Sequence, residues 1–206
     1  MEKKIVIFGC GGHARSIINV LLRNHKRAQI LLIDENAKAD EYVMGCKVQR
    51  EYEVKEADEY IIAVGDNGRR KKIYDYLKNN FQGECVPIIS DLACIGIKAY
   101  IGSGTFIAPY AYIGPQAKIG CNTIINTGSV VEHEVIIGNH THIAPHVAIC
   151  GRTRIGNGVF CGAGSTVIDN ICICDNVIIG AGAAVVSDIA ETGTYVGVPA
   201  RKVRKS

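Results

Sequence analysis

The sequence predicts two domains of unlike texture: a small doubly wound α/β unit over residues 1–84, then a parallel β-helix with a C-terminal cap over residues 85–206. Three observations predict this. An aliphatic residue returns at every sixth position from Ile95 to Val185. Four residues after each of these, from Ala99 to Ala183, stands a small or β-branched side chain. Before the repeat, apolar runs alternate with glycine turns and amphipathic stretches.

In the first unit, Lys4 to Phe8 is a short apolar run closed by Gly9-Cys10-Gly11-Gly12. Ala14, Ile17, Ile18, Leu21 and Leu22 then recur at helical spacing, which reads as strand, glycine turn, helix. Arg23, His25, Lys26 and Arg27 place positive charge where the helix dipole favours it. Ile30 to Ile33 reads as a second strand ending at Asp34, and Tyr60 to Val64 as another, ending in Gly65-Asp66-Asn67-Gly68. Ile73, Tyr74 and Leu77 mark a second helix. Such a sheet binds ligands beyond the carboxyl ends of its strands. Phe81-Gln82-Gly83-Glu84 and Pro87 separate it from the repeats.

Gly9 to Ala14 fits G-x-G-x-x-A, with Asp34 twenty positions beyond Ala14. Amides at such a turn can cradle phosphates, and a carboxylate at the next strand end can accept from ribose or base. Alone, this suggests a nicotinamide dinucleotide. The repeat that follows offers no partner for a hydride.

In the repeat, fifteen of sixteen frame positions are Ile or Val, residues that make up about a quarter of the chain. Cys161 is the exception. Six is a multiple of the strand period of two and a poor match to the helical 3.6, so the pattern describes short extended segments joined by bends. Gly96, Gly102, Gly114, Gly120 and Gly138, each just after a frame residue, suit tight corners. After Val185 the frame lapses, as the capping of an open solenoid end requires.

The formal net charge is +3, and the basic residues are scattered in short groups, one of them at the tail, Arg201, Lys202, Arg204 and Lys205. Without a concentrated basic face, a nucleic-acid partner is not expected. No apolar run reaches the roughly 18 residues of a membrane span, Met1-Glu2-Lys3-Lys4 leads straight into a strand, and a cytoplasmic protein is expected. The nine cysteines lack metal-finger spacing and read as buried thiols.

His133, His140, His142 and His146 lie on neither the aliphatic nor the small-residue track, so they are expected to face outward, beside Glu132 and Glu134. An imidazole suits a base that takes a proton from an attacking amine, and a neighbouring carboxylate fixes its tautomer. A metal site built from these histidines, or a cysteine nucleophile such as Cys150, is the weaker alternative. Intervals of seven, two and four residues fit neither one extended strand nor a coil repeat.

Ile113-Gly114-Pro115-Gln116-Ala117-Lys118 followed by Ile119-Gly120-Cys121-Asn122-Thr123-Ile124 resembles the hexapeptide-repeat acyltransferases. The resemblance implies a left-handed, triangular β-helix of three hexads per coil, hence about five coils. The whole chain is similar to a narrower group, the bacterial sugar acetyltransferases with a Rossmann-like N-terminal domain. This group includes N-acetyltransferases of nucleotide-linked 4-amino sugars of the bacillosamine and N-acetylperosamine type, and sialic-acid O-acetyltransferases. The matching motifs are Gly9-Cys10-Gly11-Gly12-His13, Ala63-Val64-Gly65-Asp66-Asn67 with Arg70-Lys71-Lys72-Ile73, Glu132-His133-Glu134, His142, and Val196-Gly197-Val198-Pro199-Ala200-Arg201.

The resemblance implies His133 as general base with Glu134 as its orienter, Glu132 being the second choice. It implies a cofactor-binding backbone amide at His142, and small positions at Gly151, Ala163 and Ala181 along an acetyl-CoA channel that the segment around Pro199 also lines. The N-terminal domain would hold a nucleotide-linked amino sugar through Gly11, Gly12, His13, Asp34, Gly65 and Asn67. Active sites between the subunits of a homotrimer, and no metal, are implied too. N-acetylation is preferred over O-acetylation. A γ-type metal lyase and a non-catalytic β-helix module are the other classes.

Overall fold

The computed structural model describes residues 4–24, 29–52 and 58–203. His25, Lys26 and Arg27, and Arg204 and Lys205 of the basic tail, lie outside the described residues, as do Met1, Glu2 and Lys3.

β1 (Lys4–Phe8), β2 (Gln29–Ile33), β3 (Tyr42–Val43), β4 (Cys46–Gln49), β5 (Glu59–Ile62) and β6 (Glu84–Cys85) form one sheet in the order β3-β4-β2-β1-β5-β6, with all pairs parallel except β3 with β4. β1 leads into helix α1 (Gly12–Arg23), and β5 into helix α2 (Asn67–Asn80). α1 buries Ala14, Ile17, Ile18, Val20 and Leu21, whereas Leu22 is exposed, so Val20 and not Leu22 completes its apolar face. At the first turn Gly9 has φ +108°, and a Cβ there would lie 2.9 Å from the Ala63 carbonyl oxygen, so glycine is required.

The chain passes from this sheet to the β-helix between Cys85 and Ile88. Pairs of strand residues then stack in parallel at intervals of eighteen residues, as Ile107 on Ile125, Ile125 on Ile143, and Ile143 on Cys161. The coil begins one hexad before the predicted frame, at Ile88–Ile89. Three sheets result, and the frame and small-residue tracks both point inward: from Ile107 to Val185 every frame residue is at most 4% exposed. Thr105, Thr123 and Thr141 sit inside and bond upward, each hydroxyl donating to the carbonyl of Gly120, Gly138 or Gly156. This satisfies polar groups that burial would otherwise penalise.

Every hexad turns at its fourth residue. From Lys98 to Gly182 all of these have φ between +50° and +68°, including Glu134, His140 and His146. The solenoid closes with Thr194–Val196 pairing antiparallel to Arg201–Lys202.

The N-terminal unit covers one face of the solenoid. The outward residues on that face form a row, Ile88, Phe106, Ile124, His142, Phe160 and Ile178, each paired with the next. Ile88, Phe106 and Ile124 join the core under α1. α2 docks alongside through Asn67, Arg70 and Tyr74, which reach Gly158, then His140 and Asn122, then Ser103. Residues three or four apart on a helix advance about 5 Å, close to the roughly 4.8 Å between stacked strands. One helix residue can therefore meet each successive coil.

Candidate active site

The sequence-predicted residues fall into three places. On one corner of the β-helix, the His133 Nδ1 lies 3.1 Å from Glu134 Oε2, with side chains 48% and 54% exposed. The left-handed turn at Glu134 (φ +59°) brings the two side chains together. Gly151 lies one coil on, where a Cβ would stand 2.6 Å from His133 Cε1 and Nε2. Glycine at position 151 thus leaves room for the imidazole.

On the next corner, Ala163 and Ala181 are exposed and stacked through the Gly182 N–H bond to the Ala163 carbonyl (2.9 Å). They leave a strip of small side chains that runs toward the exposed Pro199 of the cap. The four histidines have four different settings. His140 meets Asn122 and Tyr74 under α2, and His146 lies against Gly128. Among the described residues, no three His, Cys, Asp or Glu side chains are grouped to hold a metal ion.

The third place is the seam between the two units. His142 points outward from the solenoid as expected, but there it meets the N-terminal domain at Gly65. Its Nδ1 lies 3.2 Å from the Gly65 carbonyl oxygen, which only an Nδ1–H can satisfy, so Nε2 accepts, with Asn126 Nδ2 at 3.4 Å. The His142 backbone N–H donates to the Val159 carbonyl at 2.9 Å. That amide is taken by the β-ladder and is not available to an acetyl carbonyl, contrary to expectation. Asn67 Nδ2 donates to the carbonyls of Gly158 and Val159, and a cavity of about 600 Å³ opens here over Phe160 and Ile178.

His13, at the start of α1, turns its imidazole into the seam, edge-on to Phe106 with ring centroids 5.1 Å apart. Its buried Nε2 has no hydrogen-bond partner among the described residues. Burial, followed by the nearby His142 and Arg70, pushes its pKa down to about 3. Burial and then Arg70 push His142 down to about 4, while the bond to Gly65 acts the other way.

Both folded-state values lie below the ordinary histidine value, so the unfolded chain binds more protons between them. Stability is then present above about pH 6.5 and lost as pH falls toward 4. From pH 7 to pH 5 each group should cost on the order of 1–2 kcal/mol, a drop of several degrees in Tm. Differential scanning calorimetry of the protein and His142→Asn checks this; a variant with the same acid slope contradicts it.

At the carboxyl ends of β1 and β2, Asp34 Oδ2 accepts from the Cys10 N–H and thiol, both at 3.3 Å, and Oδ1 from the Asn36 N–H at 3.0 Å. Burial would raise the Asp34 pKa, but these hydrogen bonds outweigh it and hold the carboxyl below its usual range. Gly11 and Gly12 are exposed at the α1 N-terminus. A cavity of about 330 Å³ at these strand ends is lined by the apolar Phe8, Ile33, Val64 and Ile73 and by the charged Asp34, Glu35, Arg50, Arg69 and Lys72. The three cations and the seam arginine, Arg70, carry no role in the sequence reading. Their signal was the spacing of Arg69 and Lys72 on one side of α2.

Residues 4–77 match the PglD N-terminal domain, and residues 116–151 match the bacterial transferase hexapeptide family, with six repeats. The chain is a hexapeptide-repeat transferase. It joins a PglD-type N-terminal domain to such repeats, the combination that it shares with sugar N-acetyltransferases of known structure. It is similar to PerB from Caulobacter crescentus, solved in complex with CoA and GDP-perosamine, at 29% identity and a TM-score of 0.85 over 98% of this chain and 97% of the other. The acetyltransferase domain of PglB from Neisseria gonorrhoeae gives a TM-score of 0.90 at 24% identity, over 98% and 100% of the two chains. WeeI from Acinetobacter baumannii gives 0.74 at 21%, over 98% and 100%. The last two speak to the fold alone.

Proposed function

We propose that the protein is an acetyl-CoA-dependent N-acetyltransferase that acts on a nucleotide-linked 4-amino sugar in bacterial glycan biosynthesis. The carrying observation is the His133–Glu134 pair on an open corner, with a strip of small side chains on the next corner, in a chain similar throughout its length to PerB with CoA and GDP-perosamine. With Nδ1–H directed at Glu134, His133 keeps the Nε2 lone pair for a proton. The sugar amine attacks the thioester carbonyl, the C–N bond forms, and Nε2 takes the amine proton. The C–S bond then breaks, and CoA leaves as a thiol with that proton. Glu134 stabilises the imidazolium. In place of the His142 amide, we assign the Gly151 N–H as the oxyanion donor; it makes no hydrogen bond among the described residues.

His133 and the two N-terminal cavities share no lining residue, and they occupy different sides of the solenoid. The reading therefore requires a neighbouring copy that brings its His133 to the sugar, and the homotrimer that the resemblance implies supplies one. Nine free cysteines suit a reducing compartment, which supports the cytoplasm. Among the described residues, no helix is long and apolar enough to cross a membrane.

The nucleotide is assigned to Gly11, Gly12, His13 and Asp34. Asp34→Ala should raise KM for the sugar about tenfold or more and leave KM for acetyl-CoA nearly unchanged. Calorimetry provides the decisive check. Tight NAD binding with no affinity for any nucleotide or nucleotide sugar would overturn the assignment.

A further inference from the structure

Arg70 is 1% exposed, yet among the described residues its side-chain hydrogen bonds go to no carboxylate. Its guanidinium reaches six oxygens in two sets. Three belong to the segment from the end of β5 to the first residue of α2: the carbonyls of Val64 and Gly65, at 3.1 and 3.0 Å, and Asn67 Oδ1 at 2.7 Å. Three belong to the β-helix: the carbonyls of Asn122, His140 and Thr141, at 3.0, 2.9 and 3.2 Å. Burying a cation is costly without full satisfaction of its donors. A planar fork can divide its donors between two surfaces, which an ammonium on a flexible stem cannot do equally well.

The two sets of acceptors belong to the two domains, and one of them is shared. Gly65 O accepts from Arg70 Nη1 and also from His142 Nδ1. Asn67, whose Oδ1 receives Arg70 Nη2, extends its own amide to Gly158 and Val159. Gly65, Asn67, His142 and Gly158 all line the seam cavity. One buried side chain thus fixes the segment, the imidazole and the cavity wall together.

We propose that Arg70 is a positioning residue for acyl transfer: it locks the Gly65–Asn67 segment of the acceptor domain onto the β-helix as a wall of the seam cavity that takes the acceptor sugar and, through the Gly65 carbonyl, holds His142 in that wall as the neutral Nδ1–H tautomer, with Nε2 accepting from Asn126. The role of the cavity rests on the function proposed above; the tautomer does not. The cation beside His142 also disfavours a second proton on the ring, in line with the depressed pKa of that histidine.

The test uses the full-length protein with Arg70→Lys and Arg70→Gln. A misplacement of about 1 Å costs on the order of 10²-fold in rate. Arg70→Gln should therefore lose about that much in kcat/KM for the amino sugar, and Arg70→Lys should recover only part of it. Acetyl-CoA affinity by calorimetry should stay within about twofold in both, because none of the Arg70 hydrogen bonds reaches Ala163 or Ala181. The readout that a merely structural role would not move is the long-range 1H–15N spectrum of His142. The unaltered protein should show Nδ1–H with unprotonated Nε2 near neutral pH, and Arg70→Gln should show mixed tautomers.

An Nε2–H tautomer in the unaltered protein overturns the proposal, even if both variants fail to fold. So does a folded Arg70→Gln protein with unchanged kcat/KM and an unchanged spectrum. If no amino sugar is acetylated by any form, the function fails while the tautomer result still decides the lock.

Discussion

His133→Ala is expected to lower turnover by about 10² to 10⁴-fold, the usual contribution of a positioned general base. The side chain is 48% exposed and its polar partner is Glu134, so its removal leaves no cavity and no buried group unsatisfied. Tm should stay within a degree or two of the unaltered value, and acetyl-CoA should bind as before. Glu134→Ala should cost less, because it removes the orienting bond and leaves Nε2 in place. Steady-state kinetics with circular dichroism decide the point. An unchanged rate, or a loss that tracks global unfolding, would remove His133 from the mechanism.

The second large effect comes from a glycine in the repeat. Gly114 lies one coil before the catalytic corner, and a Cβ there would stand 2.5 Å from the His133 backbone nitrogen and 2.6 Å from the Glu132 carbonyl carbon. Both neighbours are backbone, so neither can swing aside. Gly114→Ala must push the two coils apart. Overpacking costs about 1–3 kcal/mol, or roughly 2–12 °C in Tm for a chain of this size. The coil displaced is the one that carries His133, so turnover should fall by about 10²-fold as well. A thermal melt and an assay of the same preparation suffice. A variant with normal Tm and rate would mean that the coils yield more easily than their backbone contacts imply.

The repeat was legible because its period is local: Ile101, Ile107 and Ile113 point inward whatever surrounds the helix. The αL corners could be inferred less directly, since Glu134, His140 and His146 occupy positions that other hexads give to glycine. The docking face could not be read. Ile88, Phe106, Ile124, His142, Phe160 and Ile178 form a row only once eighteen-residue stacking is known. That the N-terminal domain covers the first part of the row is a tertiary fact. For the same reason the sequence could give His142 an outward position but not its partner Gly65, and could give Arg70 a place in a motif but not its burial. The β3–β4 hairpin also escaped, its strands being too short for a pattern.

The central claim is acetyl transfer from coenzyme A to the amine of a nucleotide-linked sugar. Thiol release from acetyl-CoA, measured with UDP-, GDP- and dTDP-linked 4-amino sugars and followed by mass spectrometry of the sugar, tests it most directly. The account predicts one equivalent of free thiol per sugar acetylated on nitrogen, with one nucleotide strongly preferred. Thiol release that yields only an O-acetyl product would contradict the N-acetyl assignment, and no acetylation of any such sugar would contradict the account as a whole.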